Sequence, residues 1–198
     1  MFNPVELFPE TESDRQRLEP ERARLRGLEL LLRGPEERRW SWWTAYAYSL
    51  AEDRIAGNWE PRNWDQPHAF RFLVGFRPDE RWSVSLSGLA RSGWPTTSAT
   101  AQVVSPGGVP QAEVLLGPRN SDRLEAYRRI DLKAHRRFNL SRGKLKLELE
   151  VLNVTDRRNV CCIDEVEAEL IDPTTARLIR DPDFWLGIVP SASLTWEF

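Results

Sequence analysis

The chain has 198 residues, of which 40% are hydrophobic and 29% charged, and its formal net charge is -2. This balance excludes a disordered chain and argues against a nucleic-acid-binding surface. No segment reaches the roughly 18 apolar residues of a membrane helix, and the amino terminus lacks the pattern of a signal peptide. Membrane-crossing strands stay compatible with this composition, because every second residue of such a strand faces a polar interior.

Side chains that could carry catalysis or bind a metal are few. The chain has two histidines, His68 and His135, and two adjacent cysteines, Cys161 and Cys162. Neither histidine has a recognisable catalytic constellation, and no further ligand cluster accompanies the cysteines. The cysteines could form a vicinal disulfide, although two small loop residues are the simpler interpretation. The sequence therefore predicts no enzyme activity, no metal site and no cofactor.

Alternation of apolar and polar residues predicts about seven β-strands in chain order. The predicted strands are residues 22–33, 40–51, 68–77, 82–93, 127–138, 144–153 and 189–198. Tight turns alternate with long connections, of which residues 93–125 and 154–186 are the longest. Long connections on one side only are typical of a membrane barrel and too long for structureless loops in a compact soluble domain.

Aromatic residues of distant strands fall at one height on the oily face when the tight turns are placed at one rim. The predicted aromatic girdle consists of Trp40, Trp42, Phe76, Trp82 and Phe138, with Trp196 and Phe198 beside them. Aromatic rings concentrate at membrane interfaces, whereas a soluble β-sandwich gathers them in the middle of its core. The pattern thus favours an all-β fold, an antiparallel meander of transmembrane strands.

The opposite face of the predicted strands is polar and charged. Antiparallel pairing about the tight turn "LSRG" would bring charged residues of two strands together. The expected neighbours are Lys133 and His135 beside Glu150 and Glu148, and Arg137 beside Lys146 or Glu148. Such a ladder is typical of a solvated or plug-facing wall more than of a catalytic array.

Five segments in order are informative together: "RGLELLL", "SGWP", "YRRIDLKAHRRF", "LELEVLNVTDRRNV" and the terminal "SLTWEF". This set resembles the carboxyl-terminal part of the barrel of TonB-dependent outer-membrane receptors. The run "LNVTDRRN" matches the family's run after the penultimate strand through Leu152, Asn153, Thr155 and Asp156, and the order and spacing of the whole set make the resemblance specific. The amino-terminal "NPVELFPETE" looks like an extracellular loop of such receptors.

The resemblance implies that residues 1–198 are the last part of a larger barrel in the bacterial outer membrane, in contact with its lipid and lipopolysaccharide. Residues 1–20 would be an extracellular loop, and residues 21–198 strands with short periplasmic turns and long extracellular loops. Leu194, Trp196 and Phe198 would be read by the barrel assembly machinery. A complete receptor has about 22 strands, and we expect its signal peptide, plug and TonB-contacting segment to be missing from this chain.

The implied function is uptake of a siderophore or another large scarce nutrient, whose identity the sequence does not give. Trp59, Trp64 and Trp94 in the long connections are candidate ligand-contacting residues of a vestibule, although loop aromatics more often anchor local packing. The alternatives are an independent small outer-membrane barrel acting as adhesin or passive pore, a soluble β-sandwich or lipocalin-like binder, and a phospholipase-like enzyme. Because an open sheet leaves backbone groups unpaired in hydrocarbon, we expect the chain alone not to insert stably.

Overall fold

The computed structural model describes residues 19–34 and 39–198. The predicted extracellular loop at residues 1–20 therefore lies almost entirely outside the described residues. The strands are β1 (Arg22–Arg33), β2 (Trp40–Ile55), β3 (Asn58–Pro61), β4 (His68–Phe76), β5 (Trp82–Arg91), β6 (Pro95–Thr96), β7 (Ala99–Val104), β8 (Gln111–Leu116), β9 (Asp122–Arg123), β10 (Tyr127–Leu140), β11 (Gly143–Leu152), β12 (Val160–Asp172), β13 (Thr175–Phe184) and β14 (Val189–Glu197). A short 3-10 turn lies at Pro106–Gly108. Within the described ranges, no helix has the length and apolar character needed to cross a membrane.

An antiparallel sheet of eight strands dominates the structure. Seven of them form a meander in the order β1-β2-β4-β5-β10-β11-β14, and β3 pairs with the end of β2. These seven are the strands that alternation predicts, so the antiparallel all-β prediction is confirmed. Among the described residues β1 pairs only with β2, and β14 only with β11. The sheet is therefore open, with β1 and β14 as its two edges.

The register of the sheet collects the predicted oily residues on one face. Directly paired residues of neighbouring strands point to the same side of a sheet. One cross-strand row contains Trp40, Phe76, Val84, Ala134, Leu149 and Ala192. The row beside it contains Trp42, Val74, Leu86, Leu132, Val151 and Pro190. The apolar face is thus continuous across the strands from β2 to β14, and Leu28, Leu30 and Leu32 extend it onto β1.

No second sheet covers this apolar face in the part of the chain that the structure describes. Apart from sheet neighbours, the main contacts between elements join the β7–β8 hairpin to the β12–β13 hairpin. Phe70 is 42% exposed, Leu194 is 65% exposed, and Leu147 is half-buried. A β-sandwich would bury such side chains between two packed layers. The described residues form no sandwich of that kind.

The long connections contain strands that alternation does not predict. Strands β7 and β8 form a hairpin within residues 93–125, and β12 and β13 form a longer hairpin within residues 154–186. The pairing of β12 with β13 shifts register at three places. Each such irregularity changes the side to which the next residues point, so the period of two is broken and the sequence reads as a loop.

Candidate functional site

The structure places the predicted girdle residues at the end of the sheet that carries the short turns. Trp40 starts β2 and Phe76 ends β4, and their ring centroids lie 4.5 Å apart. At the other edge of the sheet, the rings of Trp196 and Phe198 lie 6.1 Å apart. Trp40 is 58% exposed and Trp42 is 45% exposed. These rings therefore contact one another but leave much of their surface open on the apolar face.

Two further girdle residues surround a charged side chain. Arg136 lies in register between Trp82 of β5 and the apolar side of β11. Its guanidinium is 4.9 Å from the ring centroid of Trp82 and 4.7 Å from that of Phe138. Aromatic faces attract a guanidinium, and a long side chain can keep its charge at the rim while its stem covers apolar surface. The cation is therefore accommodated on the oily face at its outer margin.

The polar face carries the predicted charge ladder between β10 and β11. The register pairs Lys133 with Glu150, His135 with Glu148 and Arg137 with Lys146. The Glu148 carboxylate accepts ion pairs from Lys133 at 2.7 Å and from Lys146 at 2.8 Å. The structure thus resolves the alternative left open for Arg137, which lies beside Lys146. Glu148 offsets the repulsion that the cations of this row exert on one another.

The polar face forms a basic concavity near the short turns, with a volume of about 1220 Å³. Its cationic lining consists of Arg39, Arg77, Arg81, Arg137 and Lys144, with His135 at its wall. Of its two acidic residues, Asp79 accepts hydrogen bonds from the backbone N–H groups of Arg81 and Trp82. A concave surface with excess positive charge attracts anions. Sequence reasoning described the individual strands but did not find this cluster, because three different turns contribute to it.

Buried polar side chains tie two long connections together at the opposite end of the sheet. Asp65 is 2% exposed, and its carboxylate accepts hydrogen bonds from the Ala51 N–H and from the Arg123 guanidinium. Arg123 also donates to the backbone carbonyl of Asp65 at 2.7 Å. Nearby, the Asn120 amide donates to the Pro61 carbonyl at 2.7 Å. Residues 93–125 are thereby held against residues 51–67.

Each of the three candidate vestibule tryptophans lies against an arginine. The ring centroids are 4.0 Å from the guanidinium carbon for Arg24 with Trp59, 5.4 Å for Arg62 with Trp64, and 5.4 Å for Arg91 with Trp94. Trp59 is 37% exposed and Trp64 is 51% exposed. Cation–π contacts of this kind fix a ring in place. The tryptophans therefore anchor the loops locally and still present part of their surface to solvent.

The segment "LNVTDRRN" forms a hydrogen-bonded turn after β11. Asn153 is 1% exposed and has φ 52, a left-handed conformation that asparagine tolerates better than most residues. Its N–H donates to Asp131 at 2.8 Å, and its side-chain amide donates to the Leu186 carbonyl at 3.4 Å. The Asp156 carboxylate accepts the Ile188 N–H at 2.9 Å. The motif thus joins β10, β11 and the approach to β14.

A second buried asparagine, which sequence reasoning missed as a structural residue, completes this turn. Asn159 is 3% exposed. Its side-chain oxygen accepts the N–H of Arg128 at 2.8 Å, and its side-chain nitrogen donates to the Arg128 carbonyl at 2.8 Å. The side chain therefore satisfies both backbone groups of Arg128, as a paired strand would. The signal in the sequence was the pair of asparagines that bracket the polar run "VTDRR".

The histidines and cysteines are dispersed. His68 shares a hydrogen bond of 2.7 Å with the Tyr46 hydroxyl, while His135 belongs to the charge ladder. Cys161 and Cys162 are free thiols. Over residues 19–34 and 39–198 the structure contains no group of three or more His, Cys, Asp or Glu suited to holding a metal ion.

Comparison with family models, with curated proteins and with solved structures finds no match for this chain. The resemblance to TonB-dependent receptors therefore remains a prediction that is based on the sequence motifs.

Proposed function

We propose that this chain is the carboxyl-terminal part of the barrel of a TonB-dependent outer-membrane receptor that takes up a siderophore or another large scarce nutrient. The observation that carries the proposal is the uncovered apolar face, which runs across all seven strands of the meander. Exposed apolar patches of this extent mark contact with lipid or with another protein. The charged opposite face fits the polar lumen of a large barrel.

The open edges support a place within a larger barrel. Strand β1 has 12 residues and β14 has nine, so each edge offers a long row of backbone groups to a further strand. In hydrocarbon each unsatisfied backbone group costs several kcal/mol. Further strands before β1, with the first of them closing on β14, would satisfy both edges. In this arrangement the polar face encloses a lumen wide enough for a plug.

The two ends of the sheet differ in the way that the proposed orientation requires. The short turns, the aromatic girdle and the basic concavity would face the periplasm. The hairpins β7–β8 and β12–β13, which contact each other, and the arginine-anchored tryptophans would face outward and form the ligand vestibule. TonB and the plug would act through a preceding region of the receptor, and lipopolysaccharide would surround the outward rim.

A pair of surface tags tests the location and orientation. One tag is inserted in the β12–β13 turn at residues 173–174 and a matched tag in the β10–β11 turn at residues 141–142, in the protein expressed from its own gene. We expect both proteins in the outer-membrane fraction, with the first tag labelled on intact cells and the second only after permeabilisation. Recovery in the soluble fraction, or labelling of both tags on intact cells, contradicts the proposal.

The coding sequence upstream of Met1 and the behaviour of the chain alone in liposomes separate the receptor from a small independent barrel acting as adhesin or passive pore. We expect the coding sequence upstream of Met1 to encode a plug domain in the same frame. A stop codon directly upstream, together with stable insertion of the chain alone into liposomes and protease protection there, contradicts the assignment to a receptor.

The proposed assembly signal at the carboxyl terminus has its own test. Deletion of Phe198 should lower the amount of protein assembled in the outer membrane, whereas Thr195→Ala, on the polar face of the same strand, should leave that amount unchanged.

A further inference from the structure

Cys161 and Cys162 meet because of an irregularity at the start of the β12–β13 hairpin. Adjacent residues of a regular strand point to opposite faces, so neighbouring cysteines normally stay apart. Here Val160 pairs with Phe184 and Cys162 pairs with Asp183, which makes Cys161 the extra residue of a β-bulge. A bulge redirects side chains, and the two Sγ atoms lie 2.8 Å apart.

The bulge also makes the backbone between the two cysteines adaptable. The extra residue of a bulge is left out of the hydrogen-bonded ladder, so the peptide that joins the cysteines can rotate at little cost in pairing. Cys162 is exposed and Cys161 is half-buried, which leaves the pair accessible to a reagent in solution. Two residues before Cys161, Asn159 is held to both backbone groups of Arg128, so the pair lies between an anchored residue and the rest of the β12–β13 hairpin.

We propose that Cys161 and Cys162 form a site of covalent modification, at which thiol–disulfide exchange with a disulfide oxidant closes a vicinal disulfide and locks the base of the β12–β13 hairpin. In the first step the thiolate of one cysteine attacks the oxidant, which forms a mixed disulfide and releases one thiol. In the second step the other cysteine loses its proton and attacks the mixed disulfide, which releases the second thiol. Two protons and two electrons pass from the chain to the oxidant.

The proposal needs no assumption about transport, since it depends on the bulge and the two thiols alone. The test uses the protein expressed from its own gene, reduced and purified in detergent micelles, with oxidised glutathione as the oxidant. We expect the intact mass to fall by the mass of two hydrogen atoms and neither cysteine to react with an alkylating reagent. We also expect the chain to stay monomeric. Cys161→Ser and Cys162→Ser should each accumulate the glutathione adduct, because neither can close the ring.

A comparison between the folded chain and the chain in urea tests whether the fold brings the thiols together. We expect ring closure to be several-fold slower in urea, where the bulge is absent. We also expect amide exchange at residues 183–184 to be slower in the oxidised chain than in the reduced chain. The proposal is overturned if the folded chain keeps a stable glutathione adduct, if both thiols stay open to alkylation, or if ring closure is equally fast in urea. Failure of this test leaves the membrane assignment untouched.

Discussion

The carboxylate of Asp65 is paired with the guanidinium of Arg123, which lies 58 residues further along the chain. The side chain of Asp65 is 2% exposed and that of Arg123 is 32% exposed. This ion pair therefore joins two connections that sequence patterns treat as separate loops, and a second ion pair, between Arg119 and Glu60, joins them as well. The relative position of the two connections is set by these pairs and by the hydrogen bond from the Asn120 amide. The same contacts set the position of the tryptophans that the arginines anchor.

Replacement of Arg123 by alanine should lower the free energy of unfolding by about 3 kcal/mol, because it leaves a buried carboxylate without its partner. The change is measured by urea titration of the whole receptor in detergent micelles, with tryptophan fluorescence as the signal. Arg177→Ala is the matched control, because its ion pair with Glu169 joins side chains that are 64% and 48% exposed. Such exposed pairs contribute about 1 kcal/mol or less. Equal losses of unfolding free energy in the two variants would contradict the stabilising role of the Asp65–Arg123 ion pair.

Asn153 should be sensitive to substitution for two separable reasons. Asn153→Ala removes the side-chain hydrogen bonds and places alanine in a left-handed conformation, and we expect it to cost about 2–4 kcal/mol of unfolding free energy. Asn153→Gly removes the same hydrogen bonds without backbone strain, so its loss should be smaller. Amide exchange at residues 186–188 should rise in both variants. Identical stabilities of the two variants would mean that the backbone conformation contributes nothing.

The two faces of the sheet should respond differently to a new charge. Leu86 lies on the apolar face in register with Leu132, and Ser87 lies on the polar face in register with Asp131. In a lipid bilayer, Leu86→Arg should lower stability by about 2–4 kcal/mol, the cost of a cation near the membrane midplane. Ser87→Arg should change it little, since Asp131 lies opposite. The measurement is urea unfolding of the whole receptor in phosphatidylcholine vesicles. A larger loss of unfolding free energy for Ser87→Arg than for Leu86→Arg would reverse the assignment of the faces.

The pH dependence of Cys162 reactivity should reveal the hydrogen bond that this thiol shares with Cys161. The hydrogen bond with Cys161 raises the pKa of the Cys162 thiol to about 11, and burial and the charges of Asp183 and Asp164 add to the effect. Because the thiolate is the form that reacts, alkylation of Cys162 should accelerate up to about that pH. Cys161→Ala should lower the pKa toward the ordinary value of 9.0. The check is a pH series of alkylation rates by mass spectrometry, and an unchanged profile in Cys161→Ala would exclude the hydrogen bond.

The meander could be predicted from the sequence because its strands keep a period of two, with few exceptions such as Arg136 on the apolar face of β10. In β11, for example, Leu145, Leu147 and Leu149 alternate with Lys146 and Glu148, and the same period recurs in the other six strands. An unbroken period of two assigns each side chain to a face without knowledge of its partners. The tight turns then set three of the strand pairs, β1 with β2, β4 with β5 and β10 with β11, and the last of these contains the charge ladder. The other three pairs join strands across long connections.

The contacts within the long connections depended on the tertiary structure. They join residues that are far apart in sequence or that lie where the alternation of apolar and polar residues is broken. Asp65 and Arg123 carry no signal of their pairing, the register shifts of β12 conceal a hairpin, and the bulge that brings Cys161 to Cys162 exists only once β13 has paired. By itself the sequence determined the strands and their faces, since these follow from local alternation. Only the folded chain decided how the long connections are held, since buried polar contacts depend on which groups meet in space.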